Sequence, residues 1–379
     1  MRRKIYYIAN ARMPTEKAHG IQIAKMCEAL IEAGTDVELV VPKRRTDERT
    51  LKDFYGLRVE IPVTRLGVMD WYDKGRIGFW ISSGFFMFAY GRYLGRARPH
   101  AAGVMLWAID IDQFSFALVP LLGVPYVAEI HDAKSWSAPF ALFFRRAGGI
   151  VVINRLIKEK ISAAFGIRPE KIAVCPNGID LKMFSGDIPR EDARERLGLP
   201  REKTIALYAG QFYSWKGLGI MRDAAALLPD VDFYFVGGGA DDYRAASGRA
   251  PMPNMRFAGY RPYEDMPQWL AAADVLVLLG TRDGEYSYLH TSPMKLFEYM
   301  ASRRPIVAAD TPANRQVVSS DEAVFYRPDD AADLARKIHF VREYAVDAAD
   351  RAERARMKVA QFAWEKRAKD ILGFMAGSL

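Results

Sequence analysis

The residues Thr291-Ser-Pro-Met-Lys-Leu-Phe-Glu-Tyr-Met-Ala301 could do chemistry that few other stretches of this chain could. They read as a loop entering an amphipathic helix near Pro293, with proline in the first turn where its missing N–H costs nothing. Such a helix start, here Ser292 to Met294, offers backbone N–H groups and a positive dipole end to a phosphate. Glu298 lies about one turn further on, and a carboxylate repels phosphate, so it must serve a different group. A ribose with vicinal hydroxyls would satisfy it, and phosphate plus ribose is a nucleotide. An ordinary loop–helix–strand unit with a capping or ion-paired glutamate has the same pattern, so the rest of the chain must decide.

Three other strand ends carry residues of matching chemistry. Ala18-His19-Gly20-Ile21 opens a helix after the first strand, and Gly20 would let an anion approach backbone N–H groups closely. His131-Asp132 follows the apolar run 126–130; a lone histidine is usually structural, but a carboxyl strand end is where a ligand would meet it. The run 205–209 leads into Gly210-Gln211-Phe-Tyr-Ser-Trp-Lys216-Gly217. Lys216 is thereby expected at the next helix start as a mobile point charge for phosphate, although most lysines are only solvated.

The elements that must hold these residues alternate strand and helix twice over. Apolar runs 4–9, 37–41, 104–109, 126–130 and 150–153 are separated by helical stretches, beginning with 21–33. The pattern restarts with strands 205–209, 232–236, 255–258, 275–279 and 306–308 and helices 218–228, 266–273 and 294–301. Near-continuous apolar strands alternating with helices predict parallel sheets covered on both faces, an α/β chain of two doubly wound domains. A chain of 379 residues exceeds what one core usually serves. The boundary is placed at 180/181, in the Gly- and Pro-bearing stretch 177–198. Ligands of such sheets sit beyond the carboxyl strand ends, so the expected site is a cleft between the domains.

Composition narrows the partners. Half the residues are hydrophobic, and the net charge of +8 favours an anionic partner such as a phosphate-bearing ligand or an anionic lipid. Nucleic acid is not expected, because no basic repeat, zinc spacing or nucleic-acid motif is present. Cys27 and Cys175 lie far apart, no cleaved leader is expected before the first strand, and the pair is read as fitting a reducing cytosol. Asp110-Ile111-Asp112 is a weak metal signal and is read as structural. Gly237-Gly-Gly239 lacks dinucleotide-fingerprint spacing and is read as a close backbone approach to the ligand. The aromatic run 77–90, followed by Arg92, Arg96 and Arg98, is broken by Ser and Gly and too short for a membrane span of about 20 residues. It is read as a core helix or as one whose aromatic edge and arginines touch an anionic membrane surface, with Phe143-Phe144-Arg145-Arg146 repeating the pairing.

Together these segments resemble a family 4 (group 1) glycosyltransferase of the two-domain GT-B fold, over nearly the whole chain and most strongly in its second half. Pro176-Asn-Gly-Ile-Asp180 with Phe184 resembles the family's interdomain segment, and Gly210 to Gly217 its phosphate loop. Phe257-Ala-Gly-Tyr260, with 266–270 and 273–275, resembles the base-binding region. Glu298-Tyr-Met-Ala-Ser302 with Pro305-Ile-Val307 resembles the glutamate signature. Phe362-Ala-Trp364 resembles the opening of a helix that crosses back to the first domain. The resemblance therefore implies Rossmann-like domains at 1–180 and 181–361, with 362–379 packing on the first.

Two departures stand out. His290 occupies the position of the first acid in the family's Glu-x7-Glu motif, and Gln211 replaces the arginine of the phosphate loop. Related branches with Ser-Pro-x-Lys often lack that first acid, so its loss is not read as inactivation. Lys295 and Arg282 are the candidates to restore the missing positive charge.

The resemblance implies a retaining, metal-independent transfer from a nucleoside diphosphate sugar to a hydroxyl acceptor, glycan or lipid-linked, in envelope polysaccharide or glycolipid synthesis. No cofactor is expected beyond that co-substrate, and the location is expected to be cytoplasmic, peripheral on the inner membrane face. His131, Lys216 and His290 are the expected catalytic positions. Gly20, Gly210, Gln211, Tyr260, Arg282, Ser292, Pro293, Met294, Lys295 and Glu298 are expected to hold the donor. Two alternatives share the fold: a non-hydrolysing nucleotide-sugar epimerase, which calls for more acid/base residues, and an inactive binding module, which would have lost Lys216 or Glu298. A nicotinamide oxidoreductase would need a glycine fingerprint after the first strand, where residues 10–20 have none.

Overall fold

The structure, a computed structural model, describes residues 4–97, 103–110, 112–184 and 186–378; the expectations for Arg98 and Ile111 fall outside them. The chain divides into two compact units, Met1–Asn177 with Trp364–Leu379, and Gly178–Ala363.

Unit one is built on β1 (Lys4–Ala9), β2 (Asp36–Pro42), β3 (Val63–Leu66), β4 (Val104–Ile109), β5 (Tyr126–Ile130), β6 (Gly149–Val152) and β7 (Ile172–Val174). They form one sheet in the order β3-β2-β1-β4-β5-β6-β7, and every pairing is parallel. Unit two contains β8 (Thr204–Ala209), β9 (Val231–Val236), β10 (Met255–Gly259), β11 (Val275–Leu278), β12 (Ile306–Ala309) and β13 (Val324–Tyr326). Its order is β10-β9-β8-β11-β12-β13, again all parallel. Both sheets reverse strand order once, between β1 and β4 and between β8 and β11. Those are the switch points at which a doubly wound sheet leaves room for a ligand.

The central strands are buried on both faces, as their nearly unbroken apolar runs require. In unit two, one face of the sheet packs Leu207, Leu276, Leu296, Phe297 and Tyr299 together. The other packs Tyr208, Phe233, Phe235, Tyr243 and Val277. The stretch 177–198 is not an open connector. It carries the helices Leu181–Phe184 and Arg190–Leu197 within unit two. The helix Trp364–Ser378 belongs to unit one, where the ring of Phe374 would lie 2.7 Å from a Cβ at Gly149.

The aromatic run has a buried and an exposed face. It lies within a 23-residue helix, Gly75–Ala97, and only one of its faces is core, at Gly78, Ser82, Phe86, Tyr90 and Leu94. The opposite stripe exposes Ile77 (69%), Phe85 (46%) and Phe88 (65%) in line with Arg92 and Arg96. Among the described residues, no helix is long and apolar enough to cross a membrane.

The first helix, Ala18–Glu32, starts three residues earlier than the apolar spacing predicts. Gly20 therefore lies inside its first turn, and its N–H donates to the Lys17 carbonyl at 2.9 Å. Gly20 is thus not a free donor for an anion, contrary to the sequence reading. Its lack of a side chain answers a packing need instead. A Cβ there would lie 2.3 Å from the Tyr55 hydroxyl and 2.5 Å from Thr15 Cγ2. Tyr55 cannot yield easily, because its hydroxyl accepts from Thr15 N (2.7 Å) and donates to Thr15 O (2.8 Å). Gly20→Ala is therefore expected to destabilise the protein by about 1–3 kcal/mol through overpacking, seen as a lower midpoint in thermal or urea denaturation. A variant as stable as the wild type would contradict this packing role.

Candidate functional site

The unit-two switch point gathers most of the residues singled out above. β8 ends at Gly210, whose backbone is in a glycine-favouring conformation (φ +124°). The chain then runs through Gln211 to a single 3-10 turn, Ser214–Lys216, so Lys216 precedes the helix Gly219–Leu227 rather than starting it. β11 leads through Gly280 and Thr281 to a π-helical turn, Tyr286–His290, and on to the helix Met294–Ala301. The two loops meet at Gly217, where a Cβ would lie 3.3 Å from Thr281 Cβ.

Lys216 and Lys295 are the electrostatic centre of this region. Lys216 Nζ donates to the Gln211 carbonyl at 3.0 Å and lies over the rings of Tyr213 (4.8 Å) and Trp215 (5.3 Å). Burial pushes its ammonium down to about 8. Lys295 Nζ sits 3.8 Å from the centre of the Tyr208 ring and donates no hydrogen bond among the described residues. Burial, then the neighbouring Lys216 charge, push it well below the usual lysine range, with Glu298 pulling the other way. A Cβ at Gly210 would lie 2.7 Å from Lys295 Nζ, so glycine at 210 leaves the room that the ammonium occupies. A Cβ at Gly237 (φ +129°) would in turn lie 2.6 Å from the Gly210 carbonyl, so those two loops pack backbone to backbone.

Glu298 is 7% exposed in the second turn of its helix. Burial raises its carboxyl to about 7, against a hydrogen bond from Tyr263 and the charge of Lys295. Pro293 occupies the N-cap position and has no N–H, so the donors at this helix start are those of Met294 and Lys295. Ser292 and Met294 are buried beside them. His290 is 3% exposed, with Nε2 3.8 Å from a Glu285 carboxylate oxygen.

Two expected donor contacts are redirected. The Gln211 side chain accepts from the Tyr213 hydroxyl, and its carbonyl, not its amide group, meets Lys216. Arg282 is exposed; its backbone N–H reaches Asp329 at 2.9 Å, while its guanidinium forms no ion pair among the described residues. Of the two replacements considered for the missing arginine, only Lys295 lies beside Lys216. Tyr260 is 55% exposed at the end of β10. Tyr263, three residues on, is the one that bonds Glu298, and its only sequence signal was its place in Tyr-Arg-Pro-Tyr263.

In unit one, His131 follows β5 with its Nε2 3.0 Å from Glu129. His19 stands near enough to feel the charges of His131 and Asp110, and burial pushes its imidazole down. Asp112 caps the helix Gln113–Phe116, accepting from Phe114 N and Ser115 N at 2.9 Å each, and its second oxygen accepts from the Ser115 hydroxyl. Its lone pairs are committed to the fold. Among the described residues, no three His, Cys, Asp or Glu side chains gather where they could hold a metal ion.

Comparison with known proteins agrees with this geometry. The family described as "Glycosyl transferases group 1" matches residues 203–343, and "Glycosyl transferase 4-like domain" matches residues 19–178. The chain is 26% identical over 239 residues to the UDP-Gal:alpha-D-GlcNAc-diphosphoundecaprenol alpha-1,3-galactosyltransferase of Escherichia coli, covering 60% of this chain and 57% of that protein. It is 27% identical over 220 residues to the D-inositol 3-phosphate glycosyltransferase 1 of Catenulispora acidiphila, covering 49% and 50%. The chain thus spans about half the length of the curated relatives it matches. Among solved structures, the sucrose-phosphate synthase of Thermosynechococcus elongatus is similar with a TM-score of 0.75 at 19% identity, covering 99% of both chains. The Anabaena protein HepE in complex with UDP and glucose is similar with a TM-score of 0.73 at 19% identity, covering 99% of this chain and 100% of that one. Two adjoining family matches and the two parallel Rossmann-like sheets have one reading: the chain belongs to the group 1 glycosyltransferases and has their GT-B fold.

Proposed function

We propose that this protein moves a sugar from a nucleoside diphosphate sugar to a hydroxyl on a glycan or lipid-linked acceptor, with retention at the anomeric carbon and without a metal. The observation that carries the reading is the pair Lys216 and Lys295, two half-buried lysines at a sheet switch point that form no ion pair with a carboxylate among the described residues. A diphosphate supplies the missing negative charge. The N–H groups of Met294 and Lys295 add the donors of a helix start. Glu298, held by Tyr263 a turn away, takes the ribose hydroxyls, and exposed Tyr260 offers a ring to the base. His131 and His290 contact sugar hydroxyls.

In the reaction, the bond between the anomeric carbon and the diphosphate oxygen breaks, and negative charge builds on the phosphate. Lys216 and Lys295 stabilise that charge, a preorganised effect of the kind that usually dominates catalysis. The acceptor oxygen bonds to the carbon on the same face, and its proton passes to the departing phosphate. This route asks for no enzymic nucleophile. The epimerase reading is weaker, since it needs an acid/base pair and neither Lys216 nor Lys295 is ion-paired with a carboxylate among the described residues. The acceptor class follows the E. coli relative, whose name specifies a diphosphoundecaprenol substrate. The exposed stripe Ile77, Phe85 and Phe88 with Arg92 and Arg96 fits the surface of an anionic membrane, where such an acceptor would be reached.

Three outcomes test the reading. A mass-spectrometric screen of nucleotide sugars is expected to return one that turns over, with the rate kept in excess chelator. Lys216→Ala is expected to lower that rate by about 100-fold. Calorimetry with UDP and GDP is expected to find one that binds, with Glu298→Ala weakening it by about 2 kcal/mol, roughly 30-fold. Wild-type behaviour of either variant, or loss of turnover on chelation, would sink the corresponding assignment.

The pH dependence has a definite sign. Lys216 at about 8 is mostly neutral at pH 8.5, whereas Glu298 at about 7 is already ionised there. A bound diphosphate favours the charged lysine, so binding at pH 8.5 should take up protons and weaken as pH rises further. Titrations in buffers of different ionisation enthalpy are expected to show net uptake, reduced in Lys216→Met. Net proton release would contradict it.

For the membrane, co-sedimentation is expected with phosphatidylglycerol-containing vesicles but not with pure phosphatidylcholine, and binding is expected to weaken with salt. Each basic residue near such a surface contributes about 1 kcal/mol, so Arg92→Glu with Arg96→Glu should release the protein. Equal recovery in the supernatant with both lipids would overturn this part.

A further inference from the structure

Glu129, the fourth residue of β5, is wholly buried and receives five partners. Its Oε2 accepts from the Trp107 indole N–H (2.7 Å) and the Tyr7 hydroxyl (3.3 Å). Its Oε1 accepts from Arg367 (2.6 Å) and the Gln22 amide (3.2 Å), and lies 3.0 Å from His131 Nε2. Burial alone would raise this carboxyl, but the Arg367 guanidinium and then His131 outweigh it and hold it at about 2. Arg367 comes from the helix Trp364–Ser378, and it also donates to the carbonyls of Pro176 (2.8 Å) and Cys175 (3.3 Å).

An ionised carboxylate has only lone pairs to offer, so in its contact with His131 the hydrogen must come from the imidazole. Nε2 then carries the hydrogen, and in the neutral ring Nδ1 is bare. Nδ1 takes no hydrogen bond from any described residue. We propose that Glu129, locked by Arg367, is a positioning residue that fixes His131 as its Nε2–H tautomer, so that Nδ1 serves as the acceptor for a substrate hydroxyl. That the hydroxyl belongs to a sugar rests on the glycosyl-transfer reading; the tautomer does not. The glutamate acts through the histidine in the way a carboxylate behind a metal-bound or catalytic histidine does, by settling which ring nitrogen is free.

The test uses the full-length protein with 15N-labelled histidine, with the His131 resonances assigned by their loss in His131→Asn. In the wild type above the ring's titration, Nε2 is expected to be pyrrole-like and Nδ1 pyridine-like. A pyridine-like Nε2, or an averaged pair, would overturn the inference without any variant having to fold. In Glu129→Gln, which keeps the volume but can donate, the hydrogen is expected to move wholly or partly to Nδ1. An unchanged tautomer in that variant would remove Glu129 from the role. Saturating UDP-glucose, with binding verified by calorimetry, is expected to shift the Nδ1 resonance upfield as it accepts a hydroxyl. Bound UDP-glucose that leaves Nδ1 unmoved would overturn the acceptor role. A failure of UDP-glucose to bind at all would count against the donor reading above, while the wild-type spectrum still judges the tautomer.

Discussion

Two half-buried lysines that form no ion pair with a carboxylate among the described residues set the terms for unit two. An isolated buried ammonium is costly, and proteins usually pair it or let it lose its proton. Here the second response is visible, because Lys216 is pushed down to about 8 and Lys295 well below the usual lysine range. The surroundings ease the strain without cancelling it. The Gln211 carbonyl accepts from Lys216, and the faces of Tyr213, Trp215 and Tyr208 lie under the two cations. Gly210 makes room for Lys295, and Gly237 makes room for the backbone at Gly210. Each of these features is intelligible as the lining of a place meant for an anion, and few of them would be needed otherwise.

Unit one handles the same problem in the opposite way. Glu129 is buried at least as deeply, yet every lone pair is answered, and Arg367 neutralises its charge from within the chain. A buried pair completed by hydrogen bonds is rigid, and breaking it by removing one partner is strongly destabilising. Its contribution is therefore geometry rather than ligand affinity. A self-sufficient network can hold a histidine in one orientation and one tautomer whether or not a ligand is present. A cluster short of negative charge, such as that of unit two, changes its protonation when a ligand arrives.

What was legible in the sequence follows from what kinds of force leave a local trace. The central strands β1, β4, β5 and β8 stood out because strands buried on both faces are apolar at nearly every position, Glu129 in β5 being the buried exception. The edge strands β3, β7 and β13 were invisible, being three or four residues long and only partly buried. The helix Met294–Ala301 was readable from its proline, its spacing and its glutamate. Tyr263 was not, because its bond to Glu298 crosses more than thirty residues and leaves no periodic mark. Nor was Arg367, which looks in sequence like any arginine on a polar helix face. Gly20 was noticed for a sound reason and given the wrong one, since a glycine at a strand-to-helix turn serves close packing as readily as it serves an anion. The aromatic helix Gly75–Ala97 was read as a choice between core and surface, and its two stripes are one of each.

The position of Lys295 shows why a charge can migrate between elements while the chemistry is kept. The family's phosphate loop carries a basic pair, and this chain has Gln211 where the arginine would stand. A lysine in the first turn of a helix sits at the positive end of the macrodipole, where a cation is disfavoured. Lys295 is also half-buried and close to a second ammonium. Three separate effects therefore oppose its charge, and nothing in the fold of the helix requires a lysine there. A bound anion reverses all three at once: it meets the dipole, separates the like charges and replaces lost solvation. Within the protein only Glu298 and the Tyr208 ring favour its charge, against burial, the neighbouring lysine and the helix dipole, and a bound anion would tip that balance toward the ammonium.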